Sequence, residues 1–200
     1  MNGKALVAAC ALAVASASAS TVTNLTVRSG KMGRDIPVTV VLPDAYDGAA
    51  RFPSVYVLHG AGGNNLKGAN PIVTNLVDRY GFVAIAPDGG KTSWWLDSPI
   101  DPTYQYETFV IRELVPFVDA HYRTVDDRKS RGIMGGSMGG HGACYLGIRH
   151  KDVFGVKEYS KLTPKVQEFL EQIESDTGCP VGIISTGPEQ SQIIDIRSEL

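Results

Sequence analysis

The serine at position 137 lies in the stretch RGIMGGSMGGHGA (residues 131–143), where Gly135-Gly136-Ser137-Met138-Gly139 spells GxSxG. A short apolar run precedes it and helix-compatible residues follow, so the local reading is strand, sharp turn, helix. A serine at such a turn is held in a strained backbone conformation that only small neighbours tolerate, and its hydroxyl projects above the carboxyl edge of a sheet. Gly135, Gly139 and Gly140 supply the missing bulk. The chemistry such a hydroxyl can do is nucleophilic attack on an acyl carbon. An incidental serine on a glycine-rich turn is the plainer alternative.

A second constellation lies upstream, where the apolar run at residues 53–58 ends in His59-Gly60-Ala61-Gly62-Gly63. A glycine-rich turn at the end of a buried strand leaves backbone N–H groups pointing into the space above the sheet. In acyl transfer they stabilise the developing oxyanion, together with the N–H of the residue after the nucleophile. The expected donors are the amides of Ala61 and Met138. His59 is read as serving backbone geometry rather than as a base. The turn lacks the Lys and Ser/Thr of a phosphate-binding loop. No metal or other cofactor is expected.

The elements that must hold these groups follow from periodicity. Residues 23–28 and 36–42 alternate as two strands around the turn signal at 29–31, which makes a hairpin. Residues 53–58 and 82–86 are near-continuous apolar runs, as strands buried on both faces require. Between them, residues 72–80 carry Val73, Leu76, Val77 and Tyr80 on one helical face and stop at Gly81. Pro87-Asp88-Gly89-Gly90 ends the second run, with Asp88 read as turn chemistry. A long loop follows. On it Trp94 and Trp95 either line a substrate cleft, stacking on sugar rings, or pack as a lid. Residues 104–121 repeat apolar side chains at helical spacing. Alternating β and α elements imply an α/β fold, a parallel central sheet with helices on both faces and its site at the carboxyl ends of the strands.

Composition narrows the partners. Two hundred residues at net charge −2 suit one domain of ordinary size and small-molecule chemistry, with no basic excess for nucleic acid. Lys4, the apolar run at 5–15 and the small residues at 15–19 read as a signal peptide over residues 1–19, too short to span a bilayer. Secretion or a periplasmic location follows, and the lipobox-like Val7-Ala8-Ala9-Cys10 is the less favoured reading. Of the three cysteines, Cys144 and Cys179 would remain, with no disulfide framework or metal spacing. Cys144 is expected to be a small buried hydrophobe.

Taken together, YVLHGAGGN (56–64), APDGG (86–90), RELVPFVDAHY (112–122) and GGSMGGHGA (135–143) resemble the α/β-hydrolase esterases. The nearer group contains S-formylglutathione hydrolases, feruloyl and acetylxylan esterases and the antigen 85 mycolyltransferases. The resemblance covers about residues 22–155. It implies Ser137 as nucleophile and the Ala61 and Met138 amides as oxyanion donors. It also implies an acid and then a histidine on loops after later strands. Only His141 and His150 follow the serine. His141, on the helix leaving the turn, is expected to point into packing, and His150 to lie at the far end of that helix. No catalytic acid is assigned.

Past residue 155 the expected buried strand is replaced by polar sequence, a helix beginning at Thr163-Pro164 with an apolar stripe of Val166, Phe169, Leu170 and Ile173, and strands at 181–184 and 193–196. EYSKL (158–162) and CPVGIISTGPEQSQ (179–192) resemble the C-terminal end of adenylosuccinate synthetase, which implies guanine contacts at Ser185, Thr186 and Gly187. The rest of that enzyme's site is missing. The expected organisation is therefore a signal peptide at 1–19, the front part of an esterase domain at 20–155, and an unrelated helix-plus-two-strands tail at 156–200, making a truncated, chimeric hydrolase. The expected function is a secreted serine esterase acting on small or polysaccharide-linked esters, impaired because the triad acid and histidine are absent. A GTP-dependent purine-enzyme fragment and a non-catalytic saccharide-binding module are the alternatives.

Overall fold

The computed structural model describes residues 20–150, 152–154, 164, 167–168, 171–172, 175, 183–185 and 193–195. Residues 1–19, on which the signal-peptide expectation falls, and Thr186 and Gly187 lie outside them.

The hairpin comes first. β1 (Thr21–Ser29) and β2 (Arg34–Leu42) pair antiparallel from Thr21↔Leu42 to Ser29↔Arg34. β3 (Ser54–Leu58), β4 (Val83–Pro87) and β5 (Arg131–Gly135) follow, and the five strands stand in the order β1-β2-β4-β3-β5. β3 is parallel to both β4 and β5, whereas β2 meets β4 antiparallel. The sheet is therefore mixed, with the antiparallel hairpin at one edge and a parallel trio at the other.

Parallel neighbours need a crossover, and here it is helical. α1 (Pro71–Tyr80) opens with Asn70 accepting from the amides of Ile72 and Val73 and with Pro71 in the first turn. It closes on Gly81 at φ 63°, whose N–H bonds the Val77 carbonyl. The Gly81 stop is the one read in the sequence; the Asn70 cap, two residues before the expected beginning at 72, and Pro71 add the start signal.

Period-two alternation sends side chains to two cores. Val38 and Val40 of β2, Tyr56 and Leu58 of β3, and Val83 and Ile85 of β4 pack with Phe109, Leu114, Val118 and Leu146 on one face. Val41 and Ala84 pack with Val73 and Val77 of α1 on the other. Helices thus cover both faces, as expected.

Between β4 and β5 the single helix expected over 104–121 is in fact three segments. α2 (Tyr106–Thr108) runs into a π-helical stretch (Phe109–Leu114) and then α3 (Val115–His121). Pro116 offers no N–H to the turn before it, and its ring crowds that turn's carbonyl. A widened turn accommodates both, and Phe109, Val110, Ile111 and Leu114 remain buried.

α4 (Met138–Arg149) follows β5 and turns Met138, Gly142 and Leu146 inward. Cys144 falls off that stripe and is exposed, which corrects the expectation of a buried thiol.

Glu107 of α2 fastens this helix. Its carboxylate accepts from the Tyr145 hydroxyl at 2.9 Å, from Arg149 Nε at 3.0 Å and from His150 Nε2 at 2.7 Å. Burial pushes the Glu107 carboxyl up, but the bonds from His150, Arg149 and Tyr145 outweigh it and leave it below the usual carboxylate range. A carboxylate depressed in the folded state adds stability above its unfolded pKa and loses it as pH falls through the folded value. Glu107→Gln is therefore expected to be less stable at pH 7 and to lose less stability than the parent between about pH 5 and pH 3. Urea midpoints across that range provide the check, and parallel profiles for the two proteins would refute the assignment.

The described tail residues between 164 and 175 are helical. Gln172 there accepts from Arg79 Nη2 of α1 at 3.2 Å. β6 (Ile183–Ser185) and β7 (Ile193–Asp195) form a separate antiparallel pair. Ser185 therefore ends β6. Among the described residues no helix is long and apolar enough to cross a membrane.

Candidate active site

The turn from β5 to α4 is as tight as its glycines suggest. Ser137 adopts φ 56° and ψ −122°, a region that side-chain-bearing residues occupy only when their surroundings force them. The force is visible at its neighbours. A Cβ on Gly139 would stand 2.0 Å from the Leu58 carbonyl oxygen. One on Gly135 would stand 2.5 Å from the Gly139 carbonyl and 2.6 Å from Leu58 O. Gly140 is less constrained, at 3.2 Å from Gly135 O. The start of α4 thus lies directly on the end of β3, and the Ser137 side chain is left at the exposed tip.

The end of β3 reaches the same point. A Cβ on Gly60 would be 3.2 Å from Gly136 O and 3.4 Å from Ser137 Cβ, so the glycine turn and the serine turn are in contact. Within that turn the Gly62 N–H donates to Lys91 O and the Gly63 N–H to Gly60 O. The Ala61 N–H finds no acceptor among the described residues. Met138, as the first residue of α4, carries one of the amides that a helix start leaves unpaired. The glycine turn that carries Ala61 therefore meets the serine turn that carries Ser137 and Met138.

His59 is fully engaged elsewhere. Its Nδ1 lies 2.8 Å from Gly60 O, and its Nε2 accepts from the Gly89 N–H at 2.8 Å. That network assigns the proton to Nδ1. Asp88 Oδ1 accepts from the Gly90 N–H at 2.7 Å. His59 therefore pins the glycine turn of β3 to the loop after β4, and neither ring nitrogen is free to act as a base.

The two tryptophans separate. Trp95 is 0% exposed and donates from Nε1 to His59 O at 3.3 Å. Gly89 and Gly142 are seats for its ring, since a Cβ on either would come within 2.4 Å of it. As a substrate contact Trp95 is therefore corrected to a core residue, because burial removes both of its faces from any ligand. Trp94 is 49% exposed.

The two histidines that follow the serine take different places. His141 is exposed rather than packed, with Nδ1 3.0 Å from the Trp94 carbonyl. His150 is held by Glu107. Among the described residues neither imidazole is hydrogen-bonded to the Ser137 hydroxyl, although the His141 backbone N–H donates to Ser137 O at 3.0 Å. No group of three or more His, Cys, Asp or Glu among the described residues is placed to hold a metal ion. Behind the glycine turn, on the α1 side, Val57, Ile72, Leu76 and Met134 border an open groove of about 660 Å³. Interlocking of the two turns through Gly60 has no sequence signal, because it joins residues far apart in the chain.

Residues 29–168 match the model of the Esterase family. Esterase Rv1288 of Mycobacterium tuberculosis is 31% identical over 122 residues, 58% of this chain and 26% of the relative. A solved ferulic acid esterase is 29% identical with a TM-score of 0.62, over 70% of this chain and 56% of that one. The chain thus spans about a quarter of the curated esterase and little more than half of the solved one. A match of another kind also exists. Adenylosuccinate synthetase of Archaeoglobus fulgidus is 57% identical over 49 residues, 24% of this chain and 14% of the relative. With well over half of its length on that model and the sheet order and serine turn in place, the chain belongs to the Esterase family.

Proposed function

We propose that this chain is built for carboxylic ester hydrolysis through an acyl-enzyme on Ser137. In the first step the Ser137 Oγ bonds to the ester carbonyl carbon as its O–H proton is lost to solvent, and the C–O bond to the alcohol breaks as the alcohol takes up a proton from solvent in return. Water then adds to the acyl carbon and releases the acid and the serine. The developing oxyanion is met by the N–H groups of Ala61 and Met138. The observation that carries this reading is the backbone of Ser137 at φ 56° and ψ −122°, a conformation held by glycines that admit no side chain. Strain of that kind persists only where structure over-determines it, and it gathers at sites of chemistry.

No histidine base stands at the serine among the described residues, so the reaction is expected to be slow. The signal-like segment at 1–19 favours an extracellular or periplasmic ester, small or attached to a polysaccharide. Residues 156–200 are proposed to be a tail of separate ancestry. The high identity of a short segment to adenylosuccinate synthetases supports this reading, and a phosphate site for GTP is absent from the sequence.

A fluorophosphonate probe tests the nucleophile. Slow labelling mapped to Ser137 by peptide mass spectrometry and lost in Ser137→Ala is the expected result. Labelling no faster at Ser137 than at other exposed serines would remove the proposal.

A further inference from the structure

The α1-side face of the sheet is covered unevenly. β3 presents Val55 and Val57 there, and β5 presents Gly132 and Met134, since the register sets Val55 against Gly132 and Val57 against Met134. α1 covers the neighbouring strands, with Val73 and Val77 on Val41 and Ala84. Toward β5 it turns Ile72 and Leu76, and Arg79 continues that stripe by helical spacing. At the carboxyl end of the strands, beside Met134, the result is the open groove described above. At the amino end Val55 is half-buried, yet neither apolar cluster of the described residues contains it. A Cβ on Gly132 would meet nothing nearer than Val55 Cγ2 at 3.6 Å, so the surface over Val55 is open to a side chain from another element.

The tail helix has a matching pattern. Pro164, Glu168, Glu171 and Ser175 are exposed, whereas Gln167 and Gln172 are half-buried. At roughly 100° per residue the four exposed positions fall in one narrow stripe, and the two glutamines flank it on either side. Helical periodicity puts Val166, Phe169, Leu170 and Ile173 opposite that stripe. An exposed outer face with half-buried flanks is the pattern of a helix seated on a surface. Gln172 identifies the surface, because it accepts from Arg79 Nη2 at 3.2 Å, at the end of the α1 stripe that faces β5.

We infer that the tail helix is a structural layer of the hydrolase fold, seated by Val166, Phe169, Leu170 and Ile173 beside Leu76 and over Val55. The chain can reach this seat. Phe154 packs edge to face on Tyr56, on the opposite face of the sheet, and β5 is the end strand. The ten residues from there to Pro164 extend to about 33 Å, ample to round that edge when stacked layers lie about 10 Å apart. A segment of separate ancestry thus supplies cover that the polar sequence after residue 155 does not. The inference is independent of the nucleophile, so it stands or fails apart from ester hydrolysis.

Tryptic cleavage at Lys165 in the folded full chain, together with urea unfolding, provides the test. Leu170→Asp is expected to speed cleavage at least tenfold and to lower the urea midpoint of the whole domain, because undocking the helix uncovers Val55. Leu76→Ala should also speed cleavage, although it lies on α1. Glu171→Gln, on the outer stripe, should leave both readings unchanged. Circular dichroism establishes that each variant is folded. Proximity is read separately, in a chain carrying Cys10→Ser, Cys144→Ser and Cys179→Ser. There a short bis-maleimide is expected to join Arg79→Cys to Gln172→Cys within one chain, and not Arg79→Cys to Glu168→Cys. Parent-like cleavage and urea midpoint in folded Leu170→Asp, or no link within the chain, would overturn the inference. Links formed only between two chains would overturn it as well, by making a second copy the occupant of this face.

Discussion

Gly139→Ala is expected to cost about 3 kcal/mol or more of folding stability, at the upper end for overpacking. The added methyl would stand 2.0 Å from Leu58 O, 2.6 Å from Leu58 C and 2.9 Å from His59 O. All three are backbone atoms, and none can rotate aside. To admit the methyl, α4 must lift from the end of β3, which also pulls Met138 out of the core it fills at 0% exposure. Gly136→Ala is the matched control. Nothing lies within 4 Å of a Cβ at that position and its φ is not left-handed, so a change within about 0.5 kcal/mol is expected. Urea unfolding of the two variants separates them, and equal midpoints would mean that the strand-to-helix contact is not what holds the serine turn.

That pair also shows which parts of the site are legible in sequence. GxSxG marks a tight turn with Gly135 and Gly139 as its fixed positions, and the structure makes it one, with Gly136 at the open position between them. Only the fold reveals the ranking, in which Gly139 and Gly135 press on the backbone at the end of β3 while Gly140, read as equally needed, is less constrained. The order of strands and helices up to β5 is legible for a similar reason. Alternation and the Gly81 stop are local signals, and local signals survive packing. The π-helical stretch is missed because the apolar spacing of 109–118 is close to helical whichever way the turn closes, and Pro116 alone hints at the widening. Trp95 is missed for another reason. Two adjacent tryptophans look equivalent on a loop, and burial of one depends on space left by Gly89 earlier in the same loop and by Gly142 of α4, which is far from it in sequence. His141 and Cys144 are misjudged because the inward stripe of α4 is narrow. Its inward residues Gly139 and Gly142 leave little hydrophobic periodicity from which to set the helix phase.

Among the described residues no imidazole is hydrogen-bonded to the Ser137 hydroxyl, and the rate should reflect that. Removing a member of a serine triad leaves roughly 10³–10⁴-fold catalysis over water, supplied by the oxyanion donors and by binding. Hydrolysis of p-nitrophenyl acetate by this chain is expected in that range and no higher. Ser137→Ala should abolish the acyl-enzyme while leaving the fold intact, since the side chain is exposed. The pH profile distinguishes a serine working alone from one served by a histidine. A histidine base makes kcat/KM rise and level off near its own pKa, ordinarily about 6.5. With His59 spent on Gly60 and Gly89, His150 on Glu107, and His141 turned to the Trp94 carbonyl, activity should instead climb with hydroxide through pH 9 with no plateau near neutrality. A plateau would mean that an imidazole reaches the serine after all. Its disappearance in His141→Ala but not in His150→Ala would identify the ring one turn away as that base. A rate well above the residual range that survives both substitutions would mean that a group other than these two histidines serves the serine.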